Sequence, residues 1–164
     1  MFEPLDAVDS RIVEMLQADG RATQMELAKA VGLSQPAVAE RIRKLEERGV
    51  ILGYAARVDA SRLGKDITAF IGVGIEHPKF FDGFAKRVLA LRDVLECHRV
   101  AGTDSYLLKV KTANTSSLDT LLVDGLRTIP GVTRTHTTIV LSSIKESSHV
   151  HLEPEALEVR HARR

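Results

Sequence analysis

Between residues 32 and 49, GLSQPAVAERIRKLEERG, the side chains of Gln35, Ala39, Glu40, Arg43 and Lys44 recur at helical spacing and make one polar face. Amide, carboxylate and cationic groups on a single helix supply the donors, acceptors and positive charge with which proteins read DNA. Val38, Ile42 and Leu45 follow i, i+4, i+7 and form the apolar stripe behind them. Ser34 is placed to cap the helix, Pro36 sits near its start where a missing N–H costs little, and Gly49 stops it. The segment reads as the turn and recognition helix of a helix-turn-helix, so double-stranded DNA is the expected partner. An ordinary three-helix unit without a DNA role is the alternative.

The other residue types that do chemistry are dispersed. His77, His98 and His136 fall within residues 67–145, with His98 and His136 expected on neighbouring strands. No carboxylate–histidine pairing suited to general acid–base work is legible. Cys97 lies in an alternating strand pattern and reads as a small packed residue. A single cysteine excludes an intrachain disulfide framework and points to a reducing cytoplasm. Cys and His do not recur at metal-ligand spacing, the pair His149 and His151 lacks further ligands, and no phosphate-binding glycine loop is present. No metal and no cofactor are expected, and the chain is read as not an enzyme.

Three helices position the first set of residues. Asp6 to Ala18 carries Val8, Ile12, Val13 and Leu16 on one face, with Asp6 and Asp9 at its positive end. Gln24 to Val31 turns Leu27, Ala28 and Val31 inward, and Gly32-Leu33 makes the turn before the third helix. After Gly49, residues 50–54 and 56–58 are expected to pair as a short hairpin, a wing.

Charge constrains how such a unit binds. The chain of 164 residues has a net charge of +1, and residues 1–60 hold eight Lys and Arg against ten Asp and Glu. A DNA surface must therefore come from local placement of Arg41, Arg43, Lys44, Arg48 and Arg57. A nearly neutral subunit gains few phosphate contacts, so several units acting together are needed for useful affinity. The composition is that of a globular protein, with no apolar run long enough for a membrane span and no signal-peptide core. A cytoplasmic location is expected.

Past a hinge at 61–66 the periodicity changes. Ile67, Ala69, Ile71, Val73 and Ile75 alternate with Thr68, Phe70, Gly72 and Gly74, which predicts a strand. A helix follows through Phe80, Phe81, Phe84, Val88 and Leu91. A strand over 95–100 leads through a tight turn at Gly102-Thr103-Asp104 to a strand marked by Tyr106, Leu108 and Val110. A second helix with Leu118, Leu121, Leu122 and Leu126 precedes a last strand over 132–141. The order βαββαβ is that of the ferredoxin-like fold. Its sheet keeps one open face, where Phe70 and Leu107 lie beside Gly72 and Gly74, and such a face usually packs on a copy of itself. The fold class is thus α+β, with a winged helix-turn-helix over 1–60, a ferredoxin-like domain over 67–145 and a polar tail over 146–164.

These features together, with Val58-Asp59, AGTDSYLLKV (101–110) and IPGVTRTHTTIVLSSIK (129–145), resemble the Lrp/AsnC, or feast/famine, family of transcriptional regulators across residues 5–146. The resemblance implies a homodimer formed by the second domain, further assembly into rings such as octamers, and a small effector, an amino acid, bound between dimers. It makes Ser34, Gln35, Pro36, Ala39, Glu40, Arg41, Arg43 and Lys44 the DNA-facing candidates, with Ser34 and Gln35 nearest the base edges. Arg41 also neighbours the apolar stripe, where packing and an ion pair are its other role. Thr23 and Gln24 are phosphate-contact candidates at a helix start. For the effector, the resemblance implies Gly102, Thr103, Asp104 and Ser105, with Thr135, Thr137 and Thr138 on the last strand. Ser105 stands where the family commonly has Asp, and the carboxylate lies one residue earlier. An α-ammonium needs a carboxylate or carbonyl, and an α-carboxylate needs N–H donors; Asp104 and the loop amides offer both. The alternative is that Asp104 stabilises the turn and the threonines reflect strand propensity. Two other functions stay open: a DNA-organising protein without an effector, and an enzyme resembling the siroheme decarboxylases.

Overall fold

The computed structural model describes residues 4–152, which fall into two compact units. One runs to Arg57 and takes up the chain again from Glu146; the other is Val58–Lys145.

The first unit is three helices: α1 (Ala7–Ala18), α2 (Gln24–Val31) and α3 (Gln35–Glu47). Each start is capped by the side chain the sequence supplies. Asp6 accepts from the Asp9 amide at 2.7 Å, Thr23 from Glu26 at 3.2 Å and Ser34 from Ala37 at 3.4 Å. Gly32 ends α2 at φ 68°, a conformation that costs glycine little, and the Leu33 amide closes the turn on the Ala28 carbonyl at 3.1 Å. The apolar stripes meet in a core of Ile12, Val13, Leu27, Ala28, Val38 and Leu45. Each fully buried side chain of this size stabilises the unit by about 1.5–3 kcal/mol.

The expected wing is absent as a hairpin. Residues 50–58 contain no strand, and Leu52, Tyr54 and Val58 are exposed. Alternating apolar residues make a ladder only when a second strand pairs with them. Here the Val50 and Ile51 amides instead close on the Leu45 carbonyl.

The second unit is a four-stranded antiparallel sheet in the order β2-β3-β1-β4, from β1 (Ile67–Ile75), β2 (Val94–Arg99), β3 (Tyr106–Thr112) and β4 (Val132–Ile139). Helices α4 (Phe81–Leu89) and α5 (Thr115–Thr120), the latter continuing as one wider π-helical stretch over Leu121–Leu126, supply Phe84, Val88, Leu118, Leu121 and Leu126 to the core. Those side chains pack on Ala69, Ile71 and Val73 of β1 and Leu108 and Val110 of β3, the inward positions of the two central strands. The opposite positions leave Phe70 and Leu107 each 38% exposed. The connection between β2 and β3 is longer than a tight turn. It spans residues 100–105 and is closed by the Val100 amide on the Ser105 carbonyl at 3.1 Å.

Strand order corrects two sequence expectations. His98 pairs with Leu107, Leu107 with Gly72, and Gly72 with His136. The two histidines therefore sit on opposite edges of the sheet, three strand spacings or roughly 14 Å apart, rather than on neighbouring strands. Cys97 is exposed, because β2 is an edge strand, and is not a packed residue. Among the described residues no helix is long and apolar enough to cross a membrane, and no group of three His, Cys, Asp or Glu can hold a metal.

Candidate nucleic-acid interface and ligand loop

The polar face of α3 is exposed at Ser34, Gln35, Pro36, Glu40, Arg43 and Lys44, with Ala39 half-buried at its centre. Thr23 and Gln24 are exposed at the start of α2. The charges on α3 are not idle. Arg43 donates to both oxygens of Glu40, at 2.8 and 2.6 Å, and its other terminal nitrogen donates to Glu47. Lys44 lies 3.6 Å from Glu40. The Arg43 hydrogen bonds are the main reason that the Glu40 carboxyl is held down from 4.5 to about 2. Glu40 is therefore ionised at any physiological pH, and the pair is an i, i+3 ion pair on the surface.

Arg41 has a different setting. Its guanidinium donates to Asp6 at 2.8 Å and Asp9 at 2.7 Å, fastening α3 to the start of α1. The hydrogen bond to Asp6, then that to Asp9, raises its pKa further. The spacing of Asp6 and Asp9 suggested only helix-end acids; their partner lies more than thirty residues away and left no local signal.

In the second unit the loop after β2 is bracketed to β1. The Ser105 amide donates to the Val73 carbonyl at 2.9 Å, and its hydroxyl accepts from the Ile75 amide at 3.1 Å. Gly102 and Thr103 are exposed, and a Cβ added at Gly102 meets nothing within 4 Å. Asp104 is half-buried and pairs with Arg134 of β4, Oδ1 lying 3.1 Å from Nη2 and 3.3 Å from Nε. The same guanidinium donates to the Thr103 carbonyl. Arg134 carries no local signal in the sequence; only the register of β4 on β1 brings it to this loop.

Thr135, Thr137 and Thr138 of β4 do not share a face. Thr135 pairs with Val73 and Thr137 with Ile71, on the side of the helices, whereas Thr138 pairs with Phe70 on the open side. The Thr135 hydroxyl accepts from Arg127 at 3.2 Å. Within one chain, then, the structure brings Thr103, Asp104, Ser105 and Arg134 together, and leaves Thr138 apart from Thr135 and Thr137. The thiol of Cys97 is pushed up rather than down by the chain around it, the reverse of an activated nucleophile.

Comparison with known proteins matches both units. Residues 5–46 fit the AsnC-type helix-turn-helix domain, and residues 68–150 fit the Lrp/AsnC ligand binding domain. The leucine-responsive regulatory protein of Escherichia coli is 36% identical over 148 residues, spanning 89% of this chain and 90% of that protein. A transcriptional regulator from Neisseria meningitidis, solved as a complex with L-methionine, superposes with a TM-score of 0.84 at 30% identity, covering 90% of this chain and 96% of its own. The feast or famine regulatory protein from M. tuberculosis, also solved with L-methionine, gives 0.81 at 38% identity over 87% and 96% of the two chains. With a helix-turn-helix unit, a ligand-binding sheet unit and relatives that match along nearly their whole length, the chain belongs to the Lrp/AsnC family of transcriptional regulators.

Proposed function

We propose that this regulator binds double-stranded DNA through α3 and that an L-amino acid, bound at the loop 102–105, changes its affinity by changing its assembly. The observation that carries the reading is the exposed α3 face, Ser34 to Lys44, in the same chain as a sheet unit whose loop presents a carboxylate and a guanidinium at the surface. Ser34 and Gln35 at the N-terminal end of α3 meet base edges first. Arg43 and Lys44 reach bases or phosphates after exchanging Glu40 for the nucleic acid. Glu40 either accepts from a cytosine amine or withdraws. Arg41, with Asp6 and Asp9, sets the angle of α3, and Thr23 and Gln24 contact the backbone. Phe70 and Leu107 on the open sheet face join two chains as a homodimer, and dimers assemble further into a ring such as an octamer. The two-fold symmetry calls for a pseudo-palindromic site. Effector-driven reorientation of dimers then alters the spacing of recognition helices. The effector itself resembles the L-methionine held by the relatives from Neisseria meningitidis and M. tuberculosis.

A gel shift on DNA from directly upstream of the gene, alone and with each L-amino acid, tests the whole reading. A shift altered by one or a few amino acids is the expected result; one indifferent to all favours a DNA-organising protein. Arg43→Ala is expected to weaken DNA binding by about 10- to 100-fold, as loss of a 1–3 kcal/mol base or phosphate contact does. Size-exclusion chromatography should show its oligomer unchanged. Equal affinity would remove Arg43 from the interface. A bulky residue at Gly102 projects into open space in one chain, so Gly102→Phe is expected to leave dimerisation intact and abolish the effector response.

A further inference from the structure

We propose that Asp104 and Arg134 together are the receptor for the two charged groups of an α-amino acid, Arg134 taking the carboxylate and Asp104 the ammonium; this rests on the effector reading above and names a residue and a chemistry that it lacks. Three observations converge. The first is the pair itself: a carboxylate and a guanidinium meet at 3.1 Å on the surface, with Arg134 55% exposed and Asp104 24%. Surface pairs of this kind are individually weak, so a ligand bearing both charges can replace each partner by its own group without a net loss of pairing. The second is the Thr103 carbonyl, which also accepts from Arg134. Once Arg134 turns to a ligand carboxylate, that carbonyl and the Asp104 oxygens are left as adjacent acceptors, the set an ammonium requires.

The third observation is the floor beneath the pair. Gly72 and Gly74 occupy the open-face positions of β1 directly under it. A Cβ at Gly72 would lie 2.2 Å from Asp104 Oδ2, and one at Gly74 would lie 2.8 Å from Arg134 Cγ. Neither glycine has a positive φ, so backbone conformation does not call for them. What calls for them is close approach: both charged side chains lie flat on bare backbone. A strand that gives up two side chains side by side for one exposed ion pair keeps a shallow site clear of its own Cβ atoms. The ligand class that follows is the zwitterion. An oxo acid satisfies only Arg134, and an amine satisfies only Asp104. In the absence of ligand Arg134 ties the loop to β4; with ligand the tie passes through the bound molecule.

The experiment compares three ligands on three proteins. Thermal-shift screening of the wild-type protein against the twenty L-amino acids selects the one that binds best. Calorimetric titration then measures it beside the amine that lacks its carboxylate and the oxo acid that lacks its amine. Both analogues should bind the wild type at least about tenfold more weakly, the scale of one lost charged hydrogen-bonding partner. Arg134→Gln should weaken the amino acid by about 10- to 100-fold and leave the amine unchanged, so that the two bind alike. Asp104→Asn should erase the preference over the oxo acid instead. Arg134→Lys, which keeps the charge, should recover part of the affinity, and circular dichroism melting shows that each variant is folded. If Arg134→Gln weakens all three ligands in parallel and keeps their ratios, the pair is only a staple for the loop and the proposal fails while the effector reading stands. If no L-amino acid binds the wild-type protein, both fall.

Discussion

A single guanidinium, that of Arg41, decides how α3 is held. Burial pushes the Asp6 carboxyl up, but the Asp9 amide and the Arg41 guanidinium outweigh it, and its pKa falls below the ordinary 3.8. A carboxyl depressed in the folded state stabilises fully above its unfolded pKa and loses that contribution as pH falls through the lower, folded value. Asp6→Asn is therefore expected to destabilise the first unit at neutral pH, with the difference from wild type vanishing in strong acid. Urea denaturation at pH 7 and again near pH 2 checks this; an equal deficit at both values would mean that the charge of Asp6 is irrelevant. Glu40 makes the parallel case on the exposed face. With its carboxyl at about 2 in place of 4.5, its side-chain NMR signal should still report the ionised form at pH 4. Replacing it, as Glu40→Gln, should free Arg43 and Lys44 for phosphates and steepen the dependence of DNA affinity on salt by about one ion. Of these contacts the sequence shows the i, i+3 partners on α3 directly. The clasp of Arg41 on α1 and the meeting of Arg134 with Asp104 depend on tertiary placement, which no local spacing encodes.

At the scale of the element, the helices were legible because their signals are local. Period, cap and stop all lie within a few residues, so α1, α2 and α3 have the extents that Asp6, Ser34 and Gly32 imply. A further local signal starts α2: Thr23-x-x-Glu26 is a reciprocal capping box, with the Glu26 carboxylate accepting from the Thr23 amide at 2.8 Å. Thr23→Ala should cost about 1 kcal/mol and lower the melting temperature by about 4–8 °C for a unit of this size, read by far-ultraviolet circular dichroism. The residues after Gly49 misled for the opposite reason. Alternation identifies a chain suited to a ladder, but pairing is a property of two segments, and 50–58 finds none among the described residues.

For the molecule as a whole, the order βαββαβ gave the sheet and its helices, because inward positions recur every second residue and the fold has few ways to connect them. Distances across the sheet were not available from that order until the strands were arranged. His98 and His136 looked like neighbours and lie on opposite edges. The core that holds these strands centres on Phe84, which is fully buried against Tyr106 with ring centroids 4.6 Å apart. Phe84→Ala should cost the sheet unit about 3–5 kcal/mol, measured by chemical denaturation, and abolish effector binding by loss of fold.

The last described stretch of the chain does not belong to the domain that precedes it. Arg57 donates to the Glu146 carbonyl at 2.9 Å, and the Gln17 side chain both donates to and accepts from the Val150 backbone, at 2.9 and 2.8 Å. In genetic terms, a stop codon after Lys145 would spare every strand of the ligand-binding unit and yet be an allele of the DNA-binding one.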